Sequence, residues 1–272
     1  MSIRFDAKIK ALKERSKKAL VPYVIVGDPN FEESLDILKN LVKAGADVLN
    51  LGFAFSDPGT AGPALQLSNK RALDAGSTSN RCFDLIKKFR QSDDTTPIFL
   101  IMYTNPIVVY GIDKFFKRCK ECGVDGVLIA DLPYIMYENK MHNFKDKAKG
   151  NTDLVLCATD NCSDETIKAI VNSDCAYIYA LSDVIVKDGA ISYQRPFSLI
   201  DKIKQLGDKK VFVGTGINSE YDIKTCCTHN LEGVVLGSAI SKIIQENLDA
   251  KERLYEKLTN TIESLNAKTY SK

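Results

Sequence analysis

Eight short apolar runs, each followed by a helical pattern, constrain the fold of this chain more than any other feature. Strands are expected at residues 21–26, Val48–Leu51, Pro97–Met102, Gly126–Ile129, Leu154–Cys157, Ala176–Ala180, Lys210–Val213 and Gly233–Leu236. Helices are expected at Asp6–Lys18, Phe31–Ala44, Arg81–Phe89, Asp113–Cys122, Met136–Ala148, Glu165–Asn172, Phe197–Leu206, Glu220–Thr228 and Asn247–Leu265. This alternation predicts an α/β fold in which eight parallel strands close into a (β/α)8 TIM barrel. An open doubly wound sheet is the alternative.

Composition favours one barrel domain over residues 1–272, with the first helix capping its lower end. The chain has 272 residues, 44% of them hydrophobic, which is enough for a large single core. A formal net charge of only +2 gives no argument for binding nucleic acid or an anionic membrane. No run approaches the ~18 to 20 apolar residues that span a bilayer, and the amino terminus lacks a signal-peptide core. We therefore expect a cytoplasmic protein.

Eight cysteines raise the question of disulfides or metal binding. They fall within strand and helix patterns of a chain too large to need covalent staples. Cys119 and Cys122 form a C-x-x-C, but the two histidines, His142 and His229, are not close to it in sequence. Zinc sites need two such pairs, or one pair with nearby histidines. Buried free thiols and no metal site are expected.

Two connections after strands are longer than the usual ~2 to 6 residues. One contains the stretch Asn50–Pro63, NLGFAFSDPGTAGP, and the other is Leu181–Pro196. Both follow the carboxyl ends of predicted strands, where α/β barrels carry their functional residues. Each is therefore predicted to be a binding loop or a lid.

Two glycine turns follow the last two predicted strands. They are Gly214-Thr215-Gly216 and Gly237-Ser238, and the second opens a short helix. Glycine allows the backbone to approach an anion, and a helix start supplies unpaired N–H groups. Because the loops after strands seven and eight commonly bind phosphate in such barrels, a phosphorylated small molecule is the expected ligand. The alternative is that these glycines only make tight turns.

Seven motifs together resemble the tryptophan synthase alpha subunit family. They are VPYVIVGDP, NLGFAFSDPGTAGP, IMYTNPIVVYG, LIADLP, YIYALS, VGTGIN and VVLGSAI, in the family's order and spacing, over nearly the whole chain. The resemblance implies a (β/α)8 barrel that needs no cofactor. It also implies the retro-aldol cleavage of indole glycerol phosphate to indole and glyceraldehyde 3-phosphate in tryptophan biosynthesis.

The chain departs from the family pattern at the residues that move protons. The family's catalytic glutamate falls on Asn50, and its second catalytic carboxylate, the aspartate of LADGP, falls on Ala61. A threonine common in the family is Ile25 here, and the glycine of the GVTG lid motif falls on Asp188, next to Gly189. An aspartate repels phosphate, so the lid shifts by one residue or phosphate binding weakens. These departures predict a catalytically impaired or inactive member.

Other site residues carry over from the family by position. The phosphate contacts are Gly189, Gly214, Gly216, Gly237 and Ser238, the indole pocket is Tyr23, Ile101, Tyr103 and Leu128, and Tyr179 lies near the reacting carbons. Tyrosines at strand ends also commonly fill a barrel mouth with their hydroxyls in water, which is the alternative role for these three.

The loops that face the beta subunit in this family keep its pattern. They contain Asp57 and Pro58, Asn105, and Asp131 with Pro133. The resemblance therefore predicts a beta-type partner in an αββα assembly, which this chain would activate or plug. Plain turn chemistry also suits Asn-Pro and Asp-Pro sequences, and is the alternative.

Two further functions stay open at this stage. A repurposed lyase or isomerase for another phosphorylated substrate would need a new acid/base. Four aspartates follow strand ends: Asp131, Asp160, Asp183 and Asp188. Their ordinary role would be as caps and turn formers. The other alternative is a slow lyase that still cleaves the family substrate by using Asn50 and water.

Overall fold

The computed structural model describes residues 2–137, 143–181, 185–187, 190–192, 194–214 and 216–270. Its strands are β1 (Ala19–Val26), β2 (Leu49–Phe53), β3 (Ile98–Met102), β4 (Gly126–Ile129), β5 (Asp153–Thr159), β6 (Ile178–Leu181), β7 (Ile185–Lys187), β8 (Ala190–Ser192), β9 (Val211–Val213) and β10 (Gly233–Leu236). Eight of them close into a barrel in the order β1-β2-β3-β4-β5-β6-β9-β10. Every pairing within the barrel is parallel. The predicted (β/α)8 barrel is confirmed.

Helices connect the barrel strands and cover their outer faces. They are α1 (Ile3–Glu14), α2 (Phe31–Lys43), α3 (Pro63–Asp74), α4 (Ser79–Arg90), α5 (Thr104–Tyr110), α6 (Ile112–Glu121), α7 (Tyr134–Tyr137), α8 (Phe144–Ala148), α9 (Asp164–Asn172), α10 (Gln194–Leu206), α11 (Glu220–Cys227), α12 (Ser238–Gln245) and α13 (Lys251–Asn266). The long connection after β6 contains the antiparallel hairpin β7–β8.

Local sequence explains where α2 begins and ends. The Asn30 side chain accepts a hydrogen bond from the Glu33 N–H and so caps the helix start. Ile37, Leu38 and Leu41 are buried against the barrel. The helix stops before Gly45, whose φ of 107° is accessible to glycine at little steric cost. The cap, the apolar face and the glycine together define a helix of limited length that packs on the barrel and leads into the next strand.

Aromatic rings fill the barrel interior at the amino-terminal end of the strands. Helix α1 inserts Phe5 among Phe99, Tyr177 and Phe212, all fully or almost fully buried. The Phe5 ring centroid lies 4.8 Å from that of Phe99 and 6.0 Å from that of Phe212. The first helix therefore closes this end of the barrel with an apolar plug, and the other end is left for a site.

The structure corrects the predicted helix Met136–Ala148. Two short helices, α7 and α8, stand there, and Asn143 immediately before α8 has a left-handed φ of 46°. A single helix cannot pass through that conformation, which asparagine tolerates better than most residues.

Two helices were missed by sequence reasoning, α3 and α5. Helix α3 has proline at its first position, Pro63, where the missing N–H has no cost. The turn-forming residues Pro58, Gly59 and Gly62 directly before Pro63 predicted a continuing loop rather than the start of a helix.

Several helix boundaries also differ from prediction: α4 begins at Ser79 rather than Arg81, α10 begins at Gln194 rather than Phe197, and α1 ends at Glu14 rather than Lys18. Helix α1 begins at Ile3 rather than Asp6 because the Ser2 side chain caps it by accepting from the Phe5 N–H. Helix α13 begins at Lys251 rather than Asn247, since residues 247–250 form a turn closed by a 3.1 Å bond from the Ala250 N–H to the Asn247 carbonyl. Within the described ranges, no helix has the length and apolar character that crossing a membrane requires.

Replacing Phe5 with alanine is expected to destabilise the fold by about 3–5 kcal/mol, because the plug would leave a cavity between rigid strands. Urea unfolding measures this change. Ile3→Ala on the same helix is the matched control: Ile3 is 88% exposed, and the expected change is within about 0.5 kcal/mol. Equal effects of the two substitutions would show that α1 does not seal the barrel.

Candidate active site

A cavity of about 280 Å³ opens at the carboxyl ends of the barrel strands. It is lined by Tyr23, Thr60, Ala61, Gly62, Leu65, Ile101, Tyr103, Leu128, Ala130, Tyr179, Leu181, Gly214, Gly216, Val235, Gly237 and Ser238. Ten of the sixteen lining residues are among those singled out from the sequence. The strand order thus brings together residues that are up to 215 positions apart in the chain.

Three tyrosines place their hydroxyl groups in or beside this cavity. Burial raises the pKa of Tyr23 above its ordinary value, and the neighbouring Tyr103 and Tyr179 raise it further. Burial also raises the pKa of Tyr179, with a smaller contribution from Cys157. These two phenols therefore stay protonated near neutral pH. They can donate or accept hydrogen bonds, but they are poor proton acceptors.

Glycines make room for two of these rings. A methyl group at Gly52 would lie 2.6 Å from the Tyr23 hydroxyl, and one at Gly214 would overlap the Tyr179 hydroxyl. Packing against Tyr179 is thus a sufficient reason for glycine at 214, beside its predicted part in phosphate binding. Gly52 was not singled out from the sequence, because only the folded barrel brings Tyr23 over it.

The predicted phosphate end is built on the start of α12. Gly237 precedes this helix, and no described side chain caps it. Its first helical hydrogen bond runs from the Ser241 N–H to the Gly237 carbonyl, 3.1 Å, so the preceding N–H groups lack intrahelical partners. This arrangement can accept an anion. Gly189 and Asp188, also assigned to this end, lie outside the described residues.

The loop of residues 54–62 borders the cavity through its last three residues and is fastened by hydrogen bonds. The Thr60 and Tyr103 hydroxyls are 2.8 Å apart and share a hydrogen bond. The Phe55 N–H donates to Oδ1 of Asn69 on α3 at 3.0 Å. Ala61 lines the cavity but offers only a methyl group where a carboxylate was expected from the family pattern. Sequence reasoning gave no role to Thr60, although it lies within the stretch NLGFAFSDPGTAGP, or to Asn69, which lies outside the motifs.

Asn50 is fully buried on β2 and does not line the cavity. Neither its amide nitrogen nor its amide oxygen has a hydrogen-bond partner among the described residues. The amide is near enough to Tyr177 to lower the pKa of that phenol, but burial dominates and raises it well above the usual value. By geometric criteria both polar atoms of the Asn50 side chain are nonetheless unsatisfied within the described residues. Ile25 is also buried outside the lining, against Gly52.

The structure places two of the four candidate aspartates away from the cavity. Asp131 accepts hydrogen bonds from the Thr104 N–H at 2.8 Å and the Thr104 hydroxyl at 2.9 Å. Asp160 forms an ion pair with Arg195. Asp183 lies outside the described residues, as Asp188 does. No described lining residue therefore carries a carboxylate.

Thiols and histidines contribute no cluster to this site. Six of the eight cysteines are buried, and burial raises the pKa of Cys157, beside Tyr179, to about 12. Within the described residues, no group of three or more His, Cys, Asp or Glu side chains could hold a metal ion. His229 stacks on Phe197 with ring centroids 3.6 Å apart, and His142 lies outside the described residues.

The loops predicted to face a partner form an exposed surface beside the cavity. Asp57, Asn105, Asp131 and Pro133 are exposed, and Pro58 is half-buried. Large apolar side chains stand among them: Val109 on α5 is 79% exposed and Ile135 on α7 is 83% exposed. The hydrogen bonds from Thr104 to Asp131 join the starts of these two connections.

Asn50→Leu is expected to raise the free energy of unfolding by about 1–2 kcal/mol, because it removes two buried polar atoms that have no hydrogen-bond partner among the described residues. Asn69→Leu is the matched control, a buried amide that bonds to the Phe55 N–H and the Leu65 carbonyl. Its loss should destabilise by about 1–3 kcal/mol. Urea unfolding decides between them, and a large loss of stability in Asn50→Leu would mean that its amide is satisfied.

Comparisons with known proteins agree with this architecture. The family model described as tryptophan synthase alpha chain matches residues 9–270. The chain is 36% identical over 268 residues to the tryptophan synthase alpha chain of Vibrio cholerae, with 98% of each chain covered. It is 34% identical over 271 residues to that of Francisella tularensis, with 99% of each covered.

Solved structures give the same relationship. Tryptophan synthase subunit alpha from Legionella pneumophila matches with a TM-score of 0.86 at 27% identity, covering 99% of each chain. A chain of the tryptophan synthase a2b2 complex from Pyrococcus furiosus matches with a TM-score of 0.83 at 31% identity, covering 92% of this chain and 99% of that one. The barrel whose cavity is ringed by three tyrosines and two glycine turns belongs to the tryptophan synthase alpha chain family.

Proposed function

We propose that this chain is a tryptophan synthase alpha-type barrel that binds a phosphorylated ligand and a beta-type partner but has little or no lyase activity. The observation that carries the proposal is a cavity whose described lining offers hydroxyls, glycines and apolar groups but no carboxylate. In the family reaction a carboxylate moves protons, and here the two family positions hold Asn50 and Ala61. Neither residue exchanges protons near neutral pH.

The size of the expected defect follows from the chemistry. A positioned general acid or base contributes roughly 10²- to 10⁴-fold to a rate. The buried tyrosines are weak substitutes for a catalytic carboxylate. Burial raises the pKa of Tyr23 and of Tyr179 above the ordinary value, so both phenols stay protonated and neither is a base near neutral pH. The loss of a charged partner for the indole N–H would add a further defect of a few kcal/mol. Little activity should remain.

Ligand binding does not need the missing carboxylates. Aromatic and aliphatic side chains from Tyr23, Ile101 and Leu128 line one part of the cavity and suit a flat apolar ring. Gly216, Gly237 and Ser238 line another part, at the start of α12. Backbone N–H groups at a helix start favour a phosphate. The cavity therefore suits a small molecule with a ring at one end and a phosphate at the other.

The exposed surface beside the cavity supports a protein partner. Val109 and Ile135, both more than three-quarters exposed, stand on adjacent connections that the Thr104–Asp131 hydrogen bonds join. Large apolar side chains exposed on neighbouring connections are a feature of interaction surfaces. The related Pyrococcus furiosus protein is part of an a2b2 complex described as mutually activating. We infer that the partner is a beta-type subunit and that this chain activates or plugs that subunit.

A repurposed lyase or isomerase is the less supported alternative. Asp131 and Asp160, two of the four candidate replacement bases, do not line the cavity and are engaged elsewhere. Such an enzyme would have to take its proton-transfer group from residues outside the described ranges, Asp183 or Asp188. A slow lyase that uses Asn50 and water would need the amide of Asn50, which does not line the cavity, to reach the ligand.

A single-turnover assay with excess protein and indole glycerol phosphate tests the proposal. The native chain is expected to release indole at least about 10³-fold more slowly than the Asn50→Glu/Ala61→Asp variant, which restores both carboxylates. Indole formation is followed by fluorescence.

Fast release by the native chain would contradict the proposal and identify a lyase with another proton-transfer group. Failure of the double variant, together with no retention of inorganic phosphate by the native chain, would contradict ligand binding as well.

Ile135→Asp is expected to weaken binding to a tryptophan synthase beta chain at least about tenfold, because a charge would be buried in an apolar interface. Tyr221→Asp, at an exposed aromatic residue on α11, is the control and should bind like the native chain. Sedimentation velocity measures both. Absence of any complex between the native chain and the beta chain would contradict the partner proposal.

A further inference from the structure

A buried carboxylate anchors α3 at the top of the barrel. Asp28 lies in the turn after β1 and is fully buried. Its Oδ1 accepts from Nε of Arg71 at 2.7 Å, and its Oδ2 accepts from Nη2 of Arg71 at 2.8 Å. The Ser68 hydroxyl donates to the same Oδ2. Ser68 and Arg71 are three residues apart on α3, so one face of this helix is held against the end of β1.

The same arginine reaches a second helix. Its remaining terminal nitrogen, Nη1, donates to Oε1 of Gln245, the last residue of α12. The Arg71 side chain is only 15% exposed, so its fork onto Asp28 lies in a largely dry environment, whereas its contact with Gln245 is exposed. One planar guanidinium thus joins β1, α3 and α12, whereas an ammonium group could not hold all three contacts.

Both joined helices begin at the cavity. Leu65, in the first turn of α3, lies against Gly237 at the start of α12: a methyl group on Gly237 would be 3.3 Å from Leu65 Cδ1. Both residues line the cavity. The distance between α3 and α12 therefore sets the width of the cavity at the predicted phosphate end.

Helix α3 also holds the loop of residues 54–62. Asn69 accepts from the Phe55 N–H at 3.0 Å, and Gln66 Nε2 donates to the Ala61 carbonyl at 2.8 Å. Asn69 is fixed in turn by its own bond to the Leu65 carbonyl at 2.8 Å. The loop is therefore fastened to the helix that Arg71 fixes.

We propose that Arg71 is a positioning residue that sets α3 between the β1 turn and α12, and so ties the loop of residues 54–62 to the phosphate end of the cavity. A ligand at the start of α12 would then steady the loop at the edge of the partner surface. Only this last consequence rests on the proposed function. The positioning role stands on the contacts of Arg71 and on those that join α3 to the loop and to Gly237.

Amide hydrogen exchange in the ligand-free protein tests the positioning role. Gln245→Met removes the contact between Arg71 and α12 at an exposed helix end and leaves the Asp28 pair intact. The Phe55 amide is expected to exchange about tenfold faster in this variant. Lys70→Met is the matched control, because it removes only the exposed Lys70–Asp74 pair on the same helix. The control should exchange like the native chain.

Arg71→Lys provides a second variant, with an expected acceleration larger than that of Gln245→Met. Global stability is followed in parallel, so that a variant that simply unfolds is recognised by uniform acceleration at all amides. Unchanged Phe55 exchange in Gln245→Met would overturn the proposal, and so would equal acceleration in Lys70→Met.

Inorganic phosphate separates this inference from the proposed function. In the native chain, phosphate should slow exchange at Ser238 and Ala239, and also at Phe55. In Gln245→Met the slowing at Phe55 should be lost, while that at Ser238 remains. No slowing at Ser238 in the native chain would count against the phosphate site, and the ligand-free comparison would still decide the role of Arg71.

Discussion

Strand register in the closed barrel is the constraint on which the site depends. The pairing of β1 with β2 sets Tyr23 level with Asn50, and the pairing of β5 with β6 sets Cys157 level with Tyr179. A shift of one residue in either pair would turn these side chains to the opposite face of the sheet. The aromatic cluster around Phe5 packs the amino-terminal end of the barrel and so helps to fix the strand register. That register in turn determines which side chains line the cavity at the carboxyl-terminal end.

Sequence reasoning reached the parts of this protein that depend on local pattern. β-Branched runs bounded by glycine give the strands, and Gly45 marks the end of α2, because steric limits act within a few residues. The cavity lining followed because carboxyl ends of parallel strands meet at one edge. Family resemblance then supplied roles for residues such as Tyr103 and Ser238, which pattern alone leaves undefined.

Long-range contacts account for what the sequence did not predict. The Thr60–Tyr103 hydrogen bond spans 43 residues, and Asp28 is likewise 43 residues from Arg71. Nothing in the spacing of these residues signals that they meet, since their distance depends on how helices pack on the finished barrel. Helix α3 was missed for a related reason: a loop of turn-forming residues runs directly into a proline-started helix.

Two buried polar residues at the top of the barrel show how differently the fold treats a charge and an amide. Asp28 accepts three hydrogen bonds, which oppose the increase in its pKa that burial causes. Asn50 contacts Tyr177 but has no hydrogen-bond partner of good geometry among the described residues, although burial makes an unsatisfied polar atom unfavourable by about 1–3 kcal/mol. Asp28 therefore holds together the helices around the cavity, whereas no described contact of Asn50 accounts for a gain in stability. A fully bonded frame around an amide that lacks such bonds agrees with the proposal that this cavity binds a ligand without transferring protons.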